Sequence, residues 1–177
     1  SIYTGATDDI RQRCGQGGAC WSDDGATYTG NWLDDKRHGK GLMTYPSGTK
    51  YDGMWLNDKK NGYGRMLLTD GTNYEGTWEN DKLQQGKMIW SNGKSYDGTW
   101  KDNKSHGFGK MIWTDGGNYE GNWVENKKHG YGTITATDGT NYTGNFHNGL
   151  ISMCHGKIIW PDGSNYFGTF ENEKQNG

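Results

Sequence analysis

No stretch of this chain approaches the ~20 consecutive apolar residues of a membrane-spanning helix, and Ser1 opens no signal-peptide pattern. Cysteine is scarce and odd in number. Cys14, Cys20 and Cys154 lack the close, paired spacing of a zinc knuckle and cannot all pair with one another, so neither a disulfide framework nor a structural metal site is expected, and a reducing compartment is the natural setting. Hydrophobic residues make up only 30% of the 177, too little for one thick core. Charge of one sign is missing too: the formal net charge is -2, without the positive face or stripe that nucleic acid binding calls for. Nor does any segment carry a helical period.

What the chain does have is glycine, 31 of them, with nine tryptophans and eleven tyrosines. They are ordered. The phrase Tyr-x-Gly-x-Trp occurs at Tyr28, Tyr51, Tyr74, Tyr96 and Tyr119, and with Phe146 and Phe170 in place of tryptophan at Tyr142 and Tyr166; the tyrosines advance by 23, 23, 22, 23, 23 and 24 residues. A worn copy opens the chain at Tyr3. Internal repetition of this kind decides architecture before local reading does, because each unit packs only on its neighbours. The predicted organisation is one array over 1–177: a degenerate first repeat at 1–27, six repeats over 28–165, and the start of a further one at 166–177. The ending inside a motif suggests a processed or excised piece.

Within a repeat, Tyr96-Asp-Gly98-Thr-Trp100 alternates ring, glycine, ring with polar residues between, which is a strand period. Gly107 to Trp113 reads as a second strand, with a polar turn at Asp102-Asn103-Lys104 before it and Asp115-Gly116, a strong hairpin signal, after it. Each repeat is therefore predicted to be an antiparallel hairpin. Size complementarity suggests the register: Trp113 opposite Tyr119, Met111 opposite Gly121, Gly109 opposite Trp123. The fold class is all-β, a linear array of hairpins in a single-layer, twisted, elongated sheet with an aromatic-lined groove, about 65 Å long at ~4.8 Å per strand.

Tyr-x-Gly-x-Trp, a Lys-rich turn, His-Gly-x-Gly as at His38, His106 and His129, then a hydrophobic strand and Asp-Gly together resemble the membrane occupation and recognition nexus (MORN) repeat. Gln84-Gln85-Gly86, Cys154-His155-Gly156 and the stretch from Cys14 depart from the pattern and should be local irregularities of pairing. The resemblance implies an extended, groove-forming ribbon of hairpins and a role in attachment, as in cytoskeletal, ciliary and membrane-junction scaffolds or the targeting segments of larger enzymes such as lipid kinases and methyltransferases.

Catalysis is not expected. The histidines recur at one repeat position that Asn61 also fills, and Asp70, Asp115, Asp138 and Asp162 all precede glycine in turns, where a carboxylate bonds local backbone. No nucleophile, base and orienting group converge, and no cofactor is implied. The expected function is a scaffold in a cytoskeletal, ciliary or membrane-cortical assembly of the cytoplasm, binding a helix, an extended peptide or a second copy along its aromatic face. Candidate partner-binding residues are Trp55, Trp78, Trp90, Trp100, Trp113, Trp123, Tyr96 and Tyr119. The alternatives are the targeting or regulatory region of a larger lipid kinase or methyltransferase, and a peripheral binder of anionic lipid through Lys59, Lys60, Lys104, Lys127 and Lys128.

Overall fold

A computed structural model describes residues 2–3, 15–20, 25–152, 155–171 and 174–176; Cys14 and Cys154, at two of the three irregular motifs, lie outside them. The chain forms two compact units, Ser1–Ser91 and Asn92–Gly177. In the first, β1 (Ile2–Tyr3), β2 (Gly15–Cys20), β3 (Thr27–Leu33), β4 (Lys36–Thr44), β5 (Lys50–Leu56), β6 (Lys59–Leu67), β7 (Asn73–Glu79) and β8 (Lys82–Ile89) each pair antiparallel with the next. In the second, β9 (Ser95–Lys101), β10 (Lys104–Ile112), β11 (Asn118–Val124), β12 (Lys127–Thr135) and β13 (Asn141–His147) do the same. There β13 then pairs with both β14 (Leu150–Ile151) and β15 (His155–Ile159), and β16 (Asn165–Glu171) and β17 (Lys174–Asn176) follow in order. The described residues contain no helix. Both units are the all-β hairpin array that the sequence predicts.

Two kinds of turn alternate, and each has its own chemistry. The polar pairs Asn57-Asp58, Asn80-Asp81, Asp102-Asn103 and Glu125-Asn126 all have both φ angles between 47 and 69°, the left-handed pair that matches strand twist in a two-residue hairpin and that Asn and Asp tolerate best. Successive turns of this kind are tied together: Asp58 accepts from the Arg37 N–H at 3.0 Å, Asp81 from Lys60 at 2.9 Å and Asn126 from Ser105 at 2.8 Å. The Asp-Gly turns are longer. Trp113 N–H donates to the Gly117 carbonyl and Gly116 N–H to the Trp113 carbonyl, while the Asp115 carboxylate accepts from the Gly117 N–H at 2.9 Å, so the loop holds three residues centred on Asp115, with Gly116 at φ +90°.

That centre corrects the predicted register. Met111 faces Tyr119, Gly109 faces Gly121 and Gly107 faces Trp123, because moving a turn's centre by one residue slides the partner strand by two. A slip of two preserves which face each side chain occupies, and the alternation stands: in β5, Tyr51, Gly53 and Trp55 are buried while Asp52, Met54 and Leu56 are exposed.

His-Gly-x is a bulge. In β4, β6, β10 and β12 three residues stand opposite one on the preceding strand, as His106-Gly107-Phe108 do opposite Thr99, whose hydroxyl donates to the His106 carbonyl. The central glycine takes the left-handed conformation, φ +68° at Gly107, which a side chain would strain. At Gln84-Gln85 the repeat is one residue shorter and only one extra residue is accommodated, Trp78 facing Leu83 and Thr77 facing Gln85. The expected irregularity of pairing is there, and the missing glycine is the one the shorter bulge does not need.

Candidate functional site

The inward face is an aromatic ladder laid on glycine. Across each hairpin two glycines meet directly, Gly53 with Gly64 and Gly98 with Gly109, and the tyrosine two residues before the first of them lies over both. Tyr51 and Tyr96 are fully buried; their hydroxyls donate to the carbonyls of Met54 at 3.2 Å and Thr99 at 3.0 Å. Tyr28, Tyr51 and Tyr96 also stand edge-on between two tryptophans, Tyr96 between Trp100 at 4.9 Å and Trp123 at 5.5 Å, the geometry aromatic quadrupoles favour. The tryptophans complete the link between repeats through their indole N–H groups: Trp55 donates to Gly41 O, Trp78 to Gly64 O and Trp123 to Gly109 O, at 3.0–3.1 Å.

A layer of cations covers the rings. Arg37 sits 4.4 Å over Trp55 and bonds Asp58 at 2.9 Å; Lys60 sits 4.6 Å over Trp78 and is only 9% exposed; Lys128 sits 5.3 Å from the Phe146 centroid. Such contacts gain when partly desolvated. Burial lowers the Lys60 pKa from its usual value, Asp81 opposing the shift.

Burial raises the tyrosines in the opposite direction, to about 12 at Tyr28 and Tyr119 and further at Tyr51 and Tyr96. The folded chain therefore holds these phenol protons more tightly than the unfolded chain. Their contribution is complete below the unfolded value near 10 and is lost as pH rises through the folded value. We expect alkaline titration to show a cooperative step well above pH 10 in which phenolate absorbance and loss of β structure coincide. Gradual ionisation of every tyrosine near 10 with the fold intact would contradict this packing.

Of the residues singled out from sequence, Trp55, Trp78, Trp100, Trp123, Tyr96 and Tyr119 are all buried within the ladder, while Trp90 and Trp113 are half-buried at the ends of the second strands. The five lysines divide between faces: Lys60 and Lys128 lie inward over rings, and Lys59, Lys104 and Lys127 are exposed, Lys104 beside Glu125 at 3.6 Å. Sequence reasoning missed the inward cations, although two adjacent basic residues on a strand must point to opposite faces. It also missed the middle residue of Gly-x-Gly. Tyr63, Phe108 and Tyr131 hold their rings on the outward face, each about 60% exposed.

Repeated hairpins, paired glycines and an interlocked ring ladder define a non-globular class of protein, the all-β linear repeat. The chain belongs to the MORN repeat family, whose model matches residues 28–50, 51–73, 74–95, 96–118, 119–141 and 142–165. No curated protein matches it by sequence. Among solved structures the fold is similar to the TCP domain of SAS-4 (dCPAP) of Drosophila melanogaster, solved in complex with a proline rich motif of Ana2 (dSTIL); the TM-score is 0.56 at 11% identity, over 95% of this chain and 90% of that one. The G-box domain of the microcephaly protein CPAP gives 0.55 at 10% identity over 92% and 84%, and the TCP10 domain of Danio rerio CPAP 0.51 at 11% over 93% and 76%.

Proposed function

We propose that the chain is a non-catalytic scaffold that holds an extended segment of a partner protein in a cytoskeletal or membrane-cortical assembly. The observation that carries this reading is the division of aromatics: the inward rings are consumed by glycine, tyrosine and cation packing, whereas Tyr63, Phe108 and Tyr131, at the same position of three repeats, turn their rings outward. Exposed aromatic rings are characteristic of recognition surfaces. Trp113, half-buried at a hairpin end, belongs to the inward face, where Lys128 sits 6.0 Å from its ring. The fold's occurrence in a domain solved with a proline rich motif, and in one whose structure suggests a role in centriole elongation, supports a peptide occupant and a cytoskeletal setting.

The test is affinity capture of the tagged chain from extract of its native source, with mass spectrometry, beside the variant Phe108→Ala/Tyr131→Ala. We expect stoichiometric cytoskeletal proteins with the parent chain and their loss from the variant. Partners retained equally by both would place binding elsewhere, and recovery of the chain alone would argue against the scaffold.

A further inference from the structure

Two outward rings of the second unit lie in one row. Phe108 faces Asn122, the bulge that carries Tyr131 stands opposite that same Asn122, and Tyr131 faces Asn145; Thr99 stands opposite the bulge that carries Phe108. Thr99, Phe108, Asn122, Tyr131 and Asn145 thus run across five strands with no charge among them. We propose that this row, taken as the scaffold's contact surface, binds a proline-rich segment in the polyproline II conformation that carries acidic residues along one side.

Spacing selects the conformation. Phe108 and Tyr131 are two strands apart, about 9.6 Å, and a polyproline II helix advances about 9.3 Å in one three-residue turn. Every third residue would meet a ring. A β-strand repeats each face at about 6.7 Å and an α-helix at multiples of about 5.4 Å, and neither brings successive side chains onto both rings. The same row supplies what such a segment lacks: polyproline II makes no internal hydrogen bonds, so its carbonyls need donors, and the Tyr131 hydroxyl and the Asn145 amide flank the path.

Charge selects the composition. On one side of the row stand Asp97, Lys110 and Glu120, Lys110 facing Asp97 across the strands and lying 3.1 Å from Glu120. On the other, toward the two-residue turns, the outward strand positions are Lys101, Lys104, Val124 and Lys127, with Asp102 and Glu125 in the turns and Glu125 engaged by Lys104. One flank therefore carries a net negative charge and the other a net positive one. A three-sided helix with proline against the rings and glutamate toward the lysines matches both, and the third side faces water. In the first unit the equivalent row holds a single aromatic, Tyr63, and its hydroxyl is committed to Glu75 at 2.5 Å, so the second unit carries the site.

The test uses the full chain and a fluorescein-labelled peptide of Pro-Pro-Glu repeats, read by anisotropy beside Gly-Ser-Glu and Pro-Pro-Lys peptides of equal length. We expect saturable binding of the first peptide only, weakened about tenfold or more by Phe108→Ala/Tyr131→Ala, the scale of a lost aromatic anchor. Lys101→Glu/Lys127→Glu should shift preference toward Pro-Pro-Lys. Unchanged circular dichroism and thermal midpoint are expected for the ring variant, since both rings are exposed. Equal binding of Gly-Ser-Glu, or indifference to loss of the rings, would overturn the proposal. If captured native partners depend on Phe108 and Tyr131 yet Pro-Pro-Glu does not bind, the polyproline assignment fails and the scaffold stands; if neither binds, both fail.

Discussion

Gly98→Ala is expected to destabilise the second unit by about 3 kcal/mol, the upper end of the cost of overpacking an interior. A Cβ built at Gly98 stands 2.5 Å from the Gly109 Cα and 2.6 Å from the Phe108 carbonyl oxygen, with the Tyr96 hydroxyl at 2.7 Å. The first two are backbone atoms of the paired strand. No rotamer change relieves them, and β9 and β10 must separate. Gly116→Ala is the control: no atom lies within 4 Å of its Cβ, and the substitution suffers only from φ +90°, worth about 1–2 kcal/mol in the left-handed region. Urea unfolding gives the difference directly. Hydrogen exchange should show protection falling first in β9 to β11, because a repeat array loses stability near the lesion. A milder effect at Gly98 than at Gly116 would mean that the glycine pairs are not steric requirements.

Trp123→Ala should cost about 3–5 kcal/mol, as for other buried large aromatics. The indole is 4% exposed, meets Tyr119 at 5.1 Å and Tyr96 at 5.5 Å, and supplies the hydrogen bond to Gly109 O, which truncation leaves unpaired. Trp123→Phe separates these effects. It keeps a ring between the two tyrosines and removes the donor, worth about 1 kcal/mol, together with part of the indole's volume, so its cost should lie between that and the cost of Trp123→Ala; the array itself makes this exchange at Phe146 and Phe170, which meet Tyr119 and Tyr142 at 5.0 Å. Trp113→Ala, at a half-buried hairpin end, should fall well below Trp123→Ala in the same denaturation series. Equal costs would show that the ladder has no privileged members.

The period, the hairpins and the two faces were legible in the sequence because each is written several times over; one misread copy would not have hidden them. Register was not, because Asp115 and Gly116 mark a turn without fixing its centre, and the centre decides whether Trp113 or Met111 meets Tyr119. Size complementarity misled for a physical reason. A large residue was expected opposite Gly109 and Gly121, whereas these two face each other and the covering ring arrives from two residues before the first glycine of a hairpin, as Tyr96 does over Gly98 and Gly109. Six of the eight rings singled out from sequence are buried in the inward ladder and Trp113 lies beside the inward Lys128, so none of these marked the outward row. Phe108 and Tyr131 were passed over because Gly-x-Gly draws attention to its glycines, and the residue between them looks like a spacer until the bulge turns it outward.

The bulges bear on how such a chain tolerates change. The repeats that begin at Tyr51 and Tyr74 differ in length by one residue, yet Gly76 still faces Gly86 and Tyr74 still faces Met88, as Gly53 faces Gly64 and Tyr51 faces Met66. A deletion inside the Gln84 bulge has been absorbed before the next glycine pair, much as a punctuation mark resets the frame of a sentence. A change of length at that position stays local, so a repeat can vary within its bulge while its own glycine pair keeps its alignment.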